Sequence, residues 1–168
     1  MRLSTELTSI AAYATLSLLG TPQPNPPDFR PLEFLMGDCW LGTFPDGKAT
    51  DEHCFEWVYD RKFIRDRHVV HNGTAYAGET LYGWDPKQKH LAFWYWNSEG
   101  EVLVGTVEYH PGSIVFPTQY ETQQGTVELR ATWTRTGPDS YRVEQAQRTR
   151  EAWKPLWAME LKRKRPHP

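Results

Sequence analysis

The chain predicts an all-β fold, an antiparallel up-and-down barrel of about ten strands with a short N-terminal helical turn. Three observations lead there. From residue 38 onward short apolar-polar runs alternate with tight-turn chemistry, and a helical period is nowhere sustained. Aromatic side chains make up 14% of the chain, including 8 Trp, 8 Tyr and 7 Phe, which suits a pleated sheet wrapped around a large interior. Ten successive hairpin-linked strands leave two costly open edges unless the sheet closes on itself.

The 168 residues are enough for one domain with a real core. We divide them into a signal peptide over 1–20, a proline-rich spacer over 21–30 and a single barrel domain over 31–165. The first segment has Arg2 ahead of a mostly apolar run, Leu7 to Leu19, too short to span a bilayer. Glu6 and the residues around Gly20 fit a cleavage signal less well; a disordered or amphipathic N-terminal helix is the other reading. In the spacer, Thr21-Pro22-Gln23-Pro24-Asn25-Pro26-Pro27 cannot continue a helix. Pro31 then opens a helical turn that packs Leu32, Phe34, Leu35 and Met36 inward.

Strands are expected near 38–44, 49–59, 62–71, 75–84, 89–97, 101–109, 113–119, 126–136, 141–152 and 156–164. Their separators include Asp46-Gly47, Asp60-Arg61, Asn72-Gly73, Asp85-Pro86, His110-Pro111-Gly112 and Lys154-Pro155, each with residues that tight turns require.

A net charge of -2 provides no basic field for nucleic acid, and the run Lys162-Arg163-Lys164-Arg165 reads as a solvated strand end. No Gly-x-Ser-x-Gly elbow, phosphate loop or dinucleotide fingerprint is present.

Phe34-Leu35-Met36-Gly37-Asp38-Cys39-Trp40-Leu41-Gly42 resembles the F-L-x-G-x-W-x-G opening of bacterial lipocalin-like (calycin) proteins, and in particular an uncharacterised group of ten-stranded barrels related to the nitrobindins. The resemblance implies a barrel holding a small hydrophobic molecule. Nitrobindins hold haem on a histidine late in the chain; here no histidine lies between His110 and His167, and neither haem nor any other cofactor is expected. Gly37 and Trp40 take structural roles, a sharp turn into the first strand and a plug for one barrel end.

A two-residue hairpin at Asp46-Gly47 sets Cys39 opposite Cys54 and Trp40 opposite His53. With a signal peptide in the same chain, a disulfide between the two cysteines follows, and with it a periplasmic or secreted location. The pair is expected to be hydrogen-bonded, with Cα atoms about 5.5 Å apart. If Trp40 points inward, the cysteines lie on the outer wall.

Extending the register through Asp60-Arg61 and Asn72-Gly73 puts Asp66 opposite Phe55, His68 opposite His53 and Glu79 opposite Asp66. The interior then holds His53, Asp66, His68 and Glu79 among Trp57, Ile64 and Leu81. One bulge reverses the parity and brings Arg65, Arg67, Tyr76, Thr80, Tyr82 and Trp84 inward instead. The sequence leaves both open. In the run His90 to Asn97 one alternate set of rings, Tyr95 among them, lines the cavity.

The candidate ligand-binding residues are therefore His53, Trp57, Asp66, His68, Glu79 and Tyr95. The histidines and carboxylates have acceptable metal-ligand types, but a hydrogen-bonded polar layer is the preferred reading and no metal is expected. The leading functional expectation is a binding protein for a small hydrophobic molecule, without nucleic-acid partners or stable membrane insertion. The alternative is an enzyme, an isomerase, cyclase or metal-assisted hydrolase, working through the buried His/Asp/Glu cluster. A third is an interaction module using exposed aromatic surface.

Overall fold

Hairpins succeed one another along the chain, and strands adjacent in sequence pair with each other except at the one corner where the sheet closes on itself. The structure is a computed structural model that describes residues 27–73 and 75–164. The expected signal peptide, most of the spacer and Arg165 lie outside those residues.

A 3-10 helix, Arg30–Leu35, with Pro31 in its first turn, leads into eleven strands. These are β1 (Cys39–Thr43), β2 (Thr50–Val58), β3 (Phe63–His71), β4 (Ala75–Asp85), β5 (His90–Asn97), β6 (Val102–Thr106), β7 (Glu108–His110), β8 (Ser113–Thr122), β9 (Gly125–Gly137), β10 (Ser140–Arg148) and β11 (Trp153–Lys164). All strand pairs are antiparallel, β1 pairs with β11, and β6 meets β8 at Gly105 and Thr118. The result is a closed ten-strand barrel with one extra strand, compatible with a calycin-like fold.

The extra strand comes from splitting the expected 101–109 strand. Val107 is buried and its amide donates to the Leu91 carbonyl at 2.8 Å, while β7 turns to pair with β8. The chain changes partner at this corner to close the barrel. Lys154-Pro155, expected as a turn, lies inside β11 instead. The pairing skips Leu156 there, with Gln145 opposite Trp157 and Ala146 opposite Pro155. Proline has no amide to give a ladder, so a bulge accommodates it.

The 3-10 helix closes one end of the barrel. Leu32, Leu35, Trp40 and Tyr141 are fully buried there, and Trp40 Nε1 donates to the Leu35 carbonyl at 3.0 Å. Gly37 has φ +89° with open space around its Cα, so the need for glycine is conformational. Arg163 is no solvated strand end. Its guanidinium stacks 4.4 Å from the Trp40 ring centre and donates to Asp38, Asp139 and the Phe34 carbonyl.

The disulfide joins Cys39 and Cys54 on the outer face, next to Lys164, Glu52 and Arg67. The register matches expectation, but the pair type differs. The Phe44 amide donates to the Ala49 carbonyl, closing a four-residue loop where a two-residue turn was expected. This shifts the alternation by one step. The cysteines fall at a closely spaced position with Cα atoms 4.1 Å apart.

Candidate functional site

Alternation along β2 and β3 points Asp51, His53 and Phe55 inward from one strand and Ile64, Asp66, His68 and Val70 from the next. His53 lies directly opposite His68, and Phe55 opposite Asp66, as the sequence register predicts. The step from β3 to β4 does not follow that register. His71 pairs with Ala75, so the connection is one residue longer than a two-residue turn. Every β4 side chain consequently changes face.

Glu79 therefore sits opposite Arg67, and Thr80 takes the place expected for it opposite Asp66. Leu81 likewise moves outward, between Arg65 and Trp94. The two sequence parities are thus combined: β3 keeps Asp66 and His68 inside, while β4 presents Tyr76, Thr80 and Tyr82. Arg65 and Arg67 stay outside, both paired with Glu56. Trp57 shares the inner face but lies at the closed end, edge-on to Phe29 and beneath Arg61; it does not line the cavity.

The cavity has a volume of about 580 Å³. Phe93, Phe116, Trp133, Val143 and Met159 form its apolar wall, and Phe44, Leu129 and Leu156 lie toward the end away from the helix. The opposite wall is polar: Asp51, His53, Asp66, His68, Tyr76 and Tyr95. Tyr95 enters from β5 with Phe93, whereas Trp94 and Trp96 of the same strand point outward, opposite Val104 and Val102.

The polar wall is one hydrogen-bonded network. His53 Nδ1 lies 2.9 Å from Asp66 Oδ2, and its Nε2 3.1 Å from Asp51 Oδ2. The other Asp51 oxygen is 3.0 Å from His68 Nδ1. His68 Nε2 is 3.3 Å from the Tyr95 hydroxyl, which is 2.8 Å from that of Tyr76. Asn97 Nδ2 donates to Tyr76 at 3.0 Å and to Glu101 at 2.8 Å, ending the chain at the surface. Gly78, next to His68 on β4, makes room for this arrangement, since a Cβ there would collide with the His68 and Tyr95 rings.

Electrostatics follow from this geometry. Burial opposes a charge on His53, but the Asp66 charge and the bonds to Asp51 and Asp66 outweigh it and push its pKa up to about 10. Both ring nitrogens then donate, one to each carboxylate. Burial likewise disfavours a charged Asp51, yet its bonds to His53 and His68 hold it well below the usual carboxylate range. Burial, reinforced by Tyr76, raises Tyr95 above the usual phenol value. Burial also raises Tyr82 strongly, with the nearby Asp66 charge adding to it.

Of the six residues named from sequence, His53, Asp66, His68 and Tyr95 come together on one wall, and Trp57 and Glu79 do not. Asp51 was missed although it is two residues before His53 on the same strand, so the parity that places His53 inside places it there too. Tyr76 was within reach only through the alternative parity. Comparison with protein-family models and with curated protein sequences finds no match to this chain.

Proposed function

We propose that this barrel binds a small, largely hydrophobic molecule in its interior, with a polar group of the guest directed to the wall of Asp51, His53, His68 and Tyr95. One observation carries the reading: a cavity of about 580 Å³ with an aromatic and aliphatic lining and a single polar wall. This size and this distribution of polarity are those of small-molecule sites. Satisfying each buried polar group inside the wall keeps the remaining surface apolar without leaving costly orphans there.

The finer kinship suggested by the Phe34–Gly42 opening, a nitrobindin-related lipocalin-like barrel, belongs to the same reading. So does export. The Cys39–Cys54 disulfide supports a compartment where thiols oxidise, and among the described residues no helix is long and apolar enough to cross a membrane.

Native mass spectrometry of the full chain purified from its expression host tests the proposal. A co-purifying apolar molecule at up to one equivalent, or saturable displacement of a bound naphthylamine dye by long-chain amphiphiles, is the expected result. A barrel that takes up neither guest nor dye overturns it. The same spectrum reads the mature mass. Loss of about twenty N-terminal residues is expected on export, and an unprocessed chain would reject that part.

A further inference from the structure

We propose that Asp51, His53 and His68 form a binding site for one divalent first-row transition cation, with Asp66 and Tyr95 as positioning residues. Three donors, a carboxylate oxygen and one nitrogen from each imidazole, lie within 4.8 Å of one another. Their origin in the sheet explains the convergence. Asp51 and His53 are two apart on β2, and His68 is the direct cross-strand partner of His53, so all three side chains share one patch of the inner face.

The stronger argument is what holds each ring. His53 Nδ1 is committed to Asp66, 2.9 Å away, which leaves Nε2 directed at Asp51. His68 Nε2 is committed to the Tyr95 hydroxyl, which leaves Nδ1 directed at the other Asp51 oxygen. Each histidine thus has one nitrogen anchored by an outer partner and the other turned toward a common centre. Metal-ligating histidines have this same division of labour between their nitrogens. Tyr95 can accept as well as donate, so it can satisfy His68 Nε2–H once Nδ1 turns its lone pair to a cation.

The distances are close to those of a coordination set. The two nitrogen-to-carboxylate separations are 3.1 and 3.0 Å, against roughly 3.4 Å between neighbouring ligands at usual zinc distances in a tetrahedron. Binding requires the two rings, 18° from parallel with centres 4.9 Å apart, to tilt toward each other while the cation replaces the proton between His53 and Asp51. Two imidazoles and one carboxylate suit zinc, cobalt, nickel or ferrous iron more than calcium or magnesium. All three ligands line the cavity, which leaves the fourth position facing it. The other nearby group, Cys39, Glu52 and Cys54, is unsuited because its sulfurs are joined in the disulfide. This inference does not require the barrel to hold an apolar guest.

The test is titration of tag-free, chelator-treated full chain with Co²⁺, followed by competition with Zn²⁺. One equivalent is expected, with visible ligand-field absorption and no thiolate charge-transfer band. Asp66→Asn and Tyr95→Phe should each weaken binding by roughly 10–100-fold, His68→Ala should abolish the absorption, and Glu79→Gln on the outer wall should leave it unchanged. If His68→Ala fails to fold by circular dichroism, Tyr95→Phe decides the matter, because it removes only a hydroxyl. Absence of saturable binding, or affinity unchanged in Tyr95→Phe, overturns the site.

Discussion

His53 and Asp66 face each other inside the barrel at 2.9 Å, with the Asp66 side chain almost wholly buried and a second carboxylate, Asp51, on the far edge of the same imidazole. Removing His53 takes away the cation that both carboxylates face, in a place water scarcely reaches. The cluster therefore makes folding depend on pH.

His53 has its pKa raised in the fold to about 10 from an ordinary 6.5. Its contribution is complete below about pH 6.5 and is lost as pH climbs through about 10. Asp51 is shifted the other way: its contribution is present above the ordinary carboxylate range and is lost as pH falls through its depressed value. The metal-free protein should show its highest Tm between about pH 4 and 6.5, with a loss below that range from Asp51 and a steady decline from about pH 6.5 to 10 from His53. In His53→Gln the alkaline decline should flatten. A wild-type Tm that holds level from pH 7 to 11 would contradict the charged His53.

Gly78 and Gly37 separate two reasons for glycine. At Gly78 the obstacle is the rings of His68 and Tyr95, so Gly78→Ala is expected to cost about 1–3 kcal/mol through overpacking. At Gly37 the space is open and only the positive φ resists a side chain, so Gly37→Ala should cost about 1–2 kcal/mol, and Gly37→Asn less. Urea midpoints of the three variants check this ordering. Gly78→Ala should also shift the His68 imidazole resonances, which Gly37→Ala should leave in place.

Much of this architecture was legible in the residues because turns carry local chemistry. Asp60-Arg61 transmitted the register correctly to His53 and His68, even though three consecutive non-glycine residues, Tyr59, Asp60 and Arg61, take positive φ there. Asn72-Gly73 did not, because a loop one residue longer satisfies the same local preferences. That single residue moved Glu79 out and Thr80 in. Hydrophobic pattern had little power to choose at this step, since both faces of β4 carry apolar residues: Tyr76, Tyr82 and Trp84 on one, Leu81 on the other. Arg163 was misread for a different reason. Its role depends on Trp40, Asp38 and Phe34, more than 120 residues away, and no local signal reports such a partner.

The floor of the barrel gives the third prediction. Arg163 is mostly buried, covers the Trp40 ring and satisfies a backbone carbonyl and two carboxylates. Arg163→Ala is expected to lower stability by roughly 2–4 kcal/mol through lost hydrogen bonds and uncovered ring. Arg163→Lys should recover less than half, because one ammonium cannot reproduce the planar fork. Chemical denaturation measures the loss, and tryptophan emission should shift to longer wavelength as Trp40 gains access to water. Equal stability of the alanine and wild-type proteins would show the contacts to be incidental.

Ala131 offers a way to separate the cavity from the fold that surrounds it. It lies on β9 opposite Phe116 and Gln145, with its side chain at the cavity. A phenyl ring added there projects into open volume, so the usual penalty for overfilling a core does not apply. Ala131→Phe should keep the wild-type circular dichroism and lose no more than about 1 kcal/mol of stability. Affinity for an apolar dye or the co-purified guest should fall at least about tenfold, which corresponds to about 1.4 kcal/mol of binding free energy. Binding that survives the substitution unchanged would place the guest outside the barrel, against the exposed strip of Trp96, Val102 and Val104. In that case the substitutions Trp96→Ser and Val104→Ser should abolish it instead.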